Sequence, residues 1–270
     1  MPTFDLNRAV DYVYKSGDKA AYAIVRLATK GAKPTDSDTM PLLSAQTEDG
    51  GWPFLFQDAN PLTVNDTLFA LEQLLGLGLA DSNPVDRGVK FLAKWQKGGG
   101  MFDENPALLR LPDVPFWMLP GDVKTQLFLT ASAGFLIARV NPNDPAVAKA
   151  TAYLQANQGP DGTFDSYLHT HWLALSLFKL KLGKLAPSVQ LIYNYLFSLD
   201  FAEWAPSQLA WMLKDLAIAG YTPGEPLPER VIESLYSRQR MDGGFDSEEG
   251  VESAMPTVEA IVAYRLMRLG

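Results

Sequence analysis

The chain contains no cysteine and only two histidines in 270 residues. A disulfide framework and a thiolate metal centre are therefore excluded. No basic stretch stands out, and acidic residues outnumber basic ones 31 to 23, for a net charge of −8. A nucleic-acid partner is not expected from that balance. No long apolar run occurs. The most apolar stretch, Phe128 to Ala138, includes Thr130 and Ser132 and falls well short of the roughly twenty residues of a bilayer span. Met1 to Val10 lacks the apolar segment of a signal peptide. No Asp-Asp-x-x-Asp run offers paired carboxylates for magnesium–diphosphate, and no Walker or dinucleotide glycine motif is present. These absences lead us to expect a cytoplasmic protein that uses no metal and no cofactor.

What the chain does have is a repeat. Gln46-Thr47-Glu48-Asp49-Gly50-Gly51-Trp52 is echoed by Gln96-Lys97-Gly98-Gly99-Gly100-Met101-Phe102, by Gln158-Gly159-Pro160-Asp161-Gly162-Thr163-Phe164, and by Gln239-Arg240-Met241-Asp242-Gly243-Gly244-Phe245. The glutamines are 50, 62 and 81 residues apart (96−46, 158−96, 239−158). The last gap has room for two units of roughly 40, a length common among helical repeats. Within it, Val189 to Leu199 reads as a helix without the glycine loop. The motif residues suit a scaffold. Glycine supplies positive φ, aspartate favours turns, and a glutamine amide can satisfy orphan backbone groups at a helix end.

After each loop, apolar residues recur at helical spacing, as in Leu68, Leu71, Leu74 and Leu75. Helices are expected over Val64–Leu77, Lys124–Val140, His169–Leu182, Ser207–Ala219 and Pro256–Leu269, with Ala20–Thr29 as a sixth. Leu6 to Lys30 reads as helical throughout, and strand-like alternation is scarce. With 47% hydrophobic residues, the chain has enough apolar content for a sizeable core. Six helix pairs over residues 1–270 point to one all-α domain closed into an α/α toroid, with an open solenoid as the competing architecture.

The four motifs resemble the QW repeats of squalene–hopene cyclases and related class II terpenoid cyclases. The resemblance is closest from Gly50-Gly51-Trp52-Pro53-Phe54 into Thr63-Val64-Asn65-Asp66-Thr67, which is similar to the family's Gly-Gly-Trp-x-Phe segment and its Asp-x-Asp-Asp-Thr run. Ser207-Gln208-Leu209-Ala210-Trp211 resembles that family's Ser-Gln-Thr-Ala-Trp helix start. The resemblance covers nearly the whole chain. It implies an α/α toroid, a superfamily that includes protein prenyltransferase β subunits, and a single domain of the kind that carries the acid. In the family the middle aspartate of Asp-x-Asp-Asp protonates an alkene or epoxide. Here Asn65 fills that position and Thr63 replaces the first aspartate; Asp66 alone matches. An amide cannot deliver that proton.

Candidate acids follow. Asp66 starts an inner helix, where it serves either as the donor or as a cap on the Leu68 or Phe69 amide. Glu259 occupies a similar helix start and is the second candidate, with ordinary helix-end electrostatics as its other reading. Glu252 reads as a solvated loop charge. His171 is a candidate acid–base group, or else a hydrogen-bonded structural histidine, the reading the sequence favours. His169 and His171 are two apart, which places them on different faces of a helix. Thr63 and Asn65 are expected to line the cavity mouth. Aromatic residues on or near the inner helices, namely Phe69, Phe128, Tyr167, Trp172, Trp204, Trp211 and Tyr264, suit either core packing or carbocation stabilisation, and His169 joins them as a substrate contact. The apolar, proline-rich insertion at 104–120 reads as a lid, a membrane-surface contact, a partner patch or a cover for the barrel end.

The resulting expectation is a class II terpenoid cyclase-like enzyme, an isomerase or lyase, acting on a hydrophobic isoprenoid by acid-initiated cyclisation. The alternatives are a non-catalytic isoprenoid- or lipid-binding module and a domain that requires a partner chain. A cytoplasmic location, peripheral to a membrane if the insertion contacts one, completes the expectation.

Overall fold

Aspartate and threonine side chains mark where the helices begin. Asp5 accepts from Arg8 N, Asp18 from Ala21 N, Asp122 from Thr125 N and Asp144 from Ala146 N, each satisfying an orphan donor of a first turn. The computed structural model describes residues 3–248, 250 and 253–269. Among them are twelve α-helices. They are α1 (Leu6–Lys15), α2 (Lys19–Lys30), α3 (Asp36–Ser44), α4 (Val64–Gly76), α5 (Asn83–Trp95), α6 (Val123–Val140), α7 (Pro145–Ala156), α8 (Leu168–Leu182), α9 (Pro187–Ser198), α10 (Pro206–Ile218), α11 (Pro226–Tyr236) and α12 (Met255–Leu269). The even-numbered helices coincide, within one residue at each end, with the six read from apolar spacing. The helical stretch from Leu6 to Lys30 breaks in two at Gly17, whose φ of 76° no continuing helix allows. Two short strands, β1 (Trp52–Pro53) and β2 (Leu62–Thr63), pair antiparallel.

The repeated loops share one bonding pattern. Gln46 Nε2 donates to Gly50 O in its own loop and to Pro84 O at the start of α5. Gln96 does the same with Gly100 O and Ala146 O of α7, and Gln239 with Gly243 O and Asp5 O beside α1. Gln158 reaches Ser188 O in α9. Each amide thus joins a turn to the first residues of a following or partner helix.

The glycines at the tips explain themselves by space as well as angle. Gly50, Gly100, Gly162 and Gly243 have φ of 91°, 92°, 89° and 93°. A Cβ on any of them would lie within 2.5 Å of backbone on that same neighbouring helix. The motif aromatics Trp52, Phe102, Phe164 and Phe245 are buried beneath. Such burial stabilises by roughly 2–3 kcal/mol per ring.

Chain packing divides the molecule into two units. One holds residues 39–192. Within it α6 packs on α4, α7 and α8. Gly134 of α6 permits the closest approach: a Cβ there would sit 2.7 Å from Leu177 of α8 and 3.1 Å from Ala150 of α7. The other unit is built from both ends of the chain, residues up to 38 and from 193 on. Within it α12 packs on α1, α2 and α10, and α11 lies on α10.

Candidate active site

Where the family resemblance points, at the first turn of α4, three side chains meet beneath the surface. Thr63 is the N-cap: its Oγ1 accepts from Asp66 N at 3.0 Å and donates to Asp66 Oδ2 at 2.6 Å. Asp66 Oδ1 accepts from Leu55 N at 3.1 Å. The carboxyl therefore ties α4 to the loop after β1, where Leu55 and Phe56 both adopt positive φ. It does not cap the Leu68 or Phe69 amides, because Thr63 is the capping residue. Burial pushes the Asp66 carboxyl above its ordinary value, while the Thr63 and Leu55 hydrogen bonds pull the other way.

The third side chain is Glu104, which the sequence reading passed over. It is 1% exposed. Its Oε2 accepts from Val64 N at 2.9 Å and its Oε1 from Asn65 N at 2.7 Å, the first two amides of α4. Burial pushes its carboxyl up to about 7, with the negative charge of Asp66 adding to the rise and the backbone amides opposing it. Its signal in the sequence was a carboxylate two residues past a motif aromatic, where the other copies carry Phe54, Ser166 and Ser247.

Glu104 belongs to the 104–120 insertion, which is held at both ends. The Asp103 carboxylate accepts from Gly121 N and from Gln126 Nε2 of α6. Asn105 Nδ2 donates to Leu62 O. Between these ties the chain forms 3-10 turns at Pro106–Arg110 and Phe116–Met118. Leu108 and Met118 pack on Phe54 in a small core of their own. Leu109 and Phe116 point outward, 67% and 63% exposed.

The structure gathers part of the aromatic set in the 39–192 unit. Phe116 and Phe128 each present an edge to Tyr167, at 5.8 and 6.0 Å between centroids. Phe128 also faces His169, which lies 4.7 Å from Trp172. Tyr167 OH is 3.3 Å from Thr125 Oγ1. Phe69, on α4 with Asn65 and Asp66, is half exposed and meets Phe56 edge-on at 5.9 Å. Asn65 is half-buried. Thr63 and Trp172 are wholly buried, so they support a surface rather than line one.

His171 is held by its neighbours. Its Nε2 accepts from Phe164 N at 3.1 Å, and Nδ1 lies 3.2 Å from Leu168 O, which assigns the proton to Nδ1. Burial lowers its pKa and keeps the ring neutral. In the other three repeats a threonine does this job: Thr67, Thr130 and Thr257 accept from Trp52 N, Phe102 N and Phe245 N. The ring thus completes a repeat instead of standing free as an acid–base group.

The remaining candidates lie in the unit built from the chain ends. Glu259 is paired with Lys214 at 2.8 Å, an ammonium contact that suits a carboxylate and not a protonated donor. Trp204 packs edge-on against Phe201, and Tyr264 leans on Phe4 and Tyr236. Trp211 is half-buried on α10. Glu252 lies outside the described residues. A pocket of about 820 Å³ in this unit is lined by charged and polar groups including Arg8, Asp11, Lys15 and Asp242. Its chemistry does not match an isoprenoid. Among the described residues no cluster of histidine, aspartate and glutamate could hold a metal ion, and no helix is long and apolar enough to cross a membrane.

Helix pairs locked by repeated glutamine–glycine–aromatic loops, with a buried carboxyl at the start of α4, define an all-α protein of the α/α toroid class. Solved structures share this fold. A protein from Actinoplanes is 17% identical, covers 97% of this chain and 98% of its own length, and superposes with a TM-score of 0.66. The type II terpene cyclase MstE from Scytonema, solved in complex with geranylgeranyl dihydroxybenzoate, is 14% identical over 97% of this chain and 95% of its own, with a TM-score of 0.63. The ent-copalyl diphosphate synthase from Streptomyces platensis is 16% identical; the match covers 93% of this chain and 50% of that one, at a TM-score of 0.54. The fold is therefore that of the type II terpene cyclases. No protein-family model matches the sequence, and no curated protein matches it.

Proposed function

We propose that this chain binds a polyprenyl or terpenoid substrate and cyclises it by acid initiation, an isomerase-type reaction, with Asp66 as the proton donor. The observation that carries the reading is the state of Asp66. Burial raises its carboxyl above the ordinary value, the direction a proton donor needs, and two donors, Thr63 Oγ1 and Leu55 N, stand ready to hold the charge left behind. In that step the carboxyl proton adds to an alkene carbon. The π electrons form the new C–H bond, the neighbouring carbon becomes cationic, and the next alkene closes a ring onto it. Release of a proton then gives the product.

Phe69 on the same helix, and the group of Phe116, Tyr167, Phe128 and His169, offer ring faces for cationic intermediates. The QW-like loops serve as the scaffold that fixes α4, as in the squalene–hopene cyclase resemblance. The outward Leu109 and Phe116 support contact of the 104–120 insertion with a membrane surface or partner, the route by which a hydrophobic substrate arrives.

A second reading has its own support. Asn65 fills the usual acid position, and Asp66 also works as a structural tie to Leu55. On that reading the protein holds an isoprenoid without converting it. Incubation with squalene, geranylgeranyl diphosphate and farnesyl diphosphate, followed by mass spectrometry, separates the two. A cyclised product made by the wild type and lost in Asp66→Asn supports the enzyme. Tight binding with no product in either protein supports the binding module.

A further inference from the structure

Asp66 as donor leaves Glu104 without a role, although its placement is the more demanding of the two. A glutamate nine-tenths or more removed from water is costly unless something holds it. Here its two oxygens take the first two amides of α4, at 2.9 and 2.7 Å, and Asn105 N adds a longer bond at 3.3 Å. Those helix-end donors are the groups best suited to stabilise a negative charge at this spot. Glu104 occupies them, and Asp66 is left with one hydroxyl and one amide from outside the helix.

We propose that Glu104 and Asp66 form a coupled carboxyl pair that holds one proton between them, and that Glu104 is the positioning residue that sets when Asp66 is charged. This inference rests on Asp66 being the proton donor. The two groups are joined through one turn of backbone. Glu104 grips the amides of Val64 and Asn65, and Asp66 follows directly and is bonded to the capping Thr63. Two carboxylates so placed, both out of water, disfavour simultaneous ionisation.

No cation contacts either carboxyl among the described residues. On the insertion itself, Asp103 is occupied by Gly121 N and Gln126 Nε2, and Arg110 and Asp113 make no hydrogen bond to the pair. On α6, Asp122 caps Thr125 and Lys124 faces Asp165 at 3.7 Å. On α4, Glu72 is paired with Arg139. Asp66 is the ionisable group whose charge, when it forms, acts on Glu104, and the rise of the Glu104 carboxyl to about 7 agrees with the arrangement.

The test is a ¹³C-carboxyl NMR titration of the full chain labelled at aspartate and glutamate, in the wild type, Asp66→Asn, Glu104→Gln and Glu104→Asp. One glutamate signal, absent from Glu104→Gln, is expected to titrate near pH 7. It should move down by about one pH unit in Asp66→Asn, and the Asp66 signal should shift reciprocally in Glu104→Gln. Product formation should fall about tenfold between pH 6 and 8 in the wild type, along that same titration. That limb should move in Glu104→Gln and return toward the wild-type position in Glu104→Asp. A Glu104 signal that ignores Asp66→Asn overturns the pairing. A pH limb unmoved in Glu104→Gln overturns the positioning role even if the signals are coupled. The titration needs no substrate, so its outcome stands apart from the loss of product in Asp66→Asn that tests the donor itself.

Discussion

Replacing Gly100 by alanine is expected to destabilise the protein by about 2–5 kcal/mol, while the same change at Gly99, one residue earlier, leaves it nearly unaltered. The magnitude has two parts. At a φ of 92° an alanine is strained, at a cost of about 1–2 kcal/mol. Its Cβ would also lie 2.4 Å from Lys149 O and 2.8 Å from Lys149 C. That carbonyl is in the body of α7 and cannot retreat without breaking helix bonds, so overpacking adds about 1–3 kcal/mol. Gly99 lies in the same turn with no positive φ and open space where a Cβ would go, so about ±0.5 kcal/mol is expected there. Urea unfolding followed by circular dichroism reads both variants. If Gly100→Ala falls within 0.5 kcal/mol of the wild type on the scale of surface substitutions, the account of the motif glycines is wrong.

Other expectations follow from single groups. The Glu104 carboxyl is raised to about 7 in the folded chain, so the stability linked to its titration is complete below about pH 4.5 and lost as pH rises through about 7. Relative to Glu104→Gln, the wild type should lose about 2 kcal/mol between pH 5.5 and 8; parallel stability curves would count against the buried, raised carboxyl. His171→Ala removes the acceptor for Phe164 N and should cost about 3 kcal/mol. A variant of full stability that loses only activity would reassign the ring to chemistry. Gln239→Ala frees both Asp5 contacts, and amide exchange across Leu6–Lys15 should quicken by a factor matching about 1 kcal/mol, with residues 39–192 unchanged.

The repeated loops were legible because each motif residue has a separate physical job at a fixed offset. A glycine at positive φ, an amide reaching two carbonyls and a buried ring leave a recognisable trace in sequence. The even-numbered helices were legible because their apolar spacing is dense and their starts, that of α8 excepted, carry proline or a capping residue. The site was less so. Asp66 could be picked out by resemblance, but its partner Leu55 could not, since that bond depends on two consecutive residues at positive φ. Glu104 escaped because its partners, the amides of Val64 and Asn65, are 40 and 39 positions away and are backbone groups that every residue has. His171 read as structural more than chemical, but its particular partner could not be named. The threonines that do the same work in three other repeats showed its job only once the bonds to Trp52, Phe102 and Phe245 were seen.

The grip of Gln239 on Asp5 spans 234 positions and bears on how this chain is made. The unit containing α1 and α2 also needs α10 to α12, so its first 38 residues leave the ribosome long before their neighbours exist. At about 5–20 residues per second, the intervening two hundred take on the order of 10–40 s. Residues 39–192 are complete in that interval and can condense first. The amphipathic face of α1 and the apolar side of α2 meanwhile wait in water, exposed to chaperones and to other nascent chains. Expression yield in the cell should therefore respond to changes in α1 and α2 more sharply than equilibrium stability does.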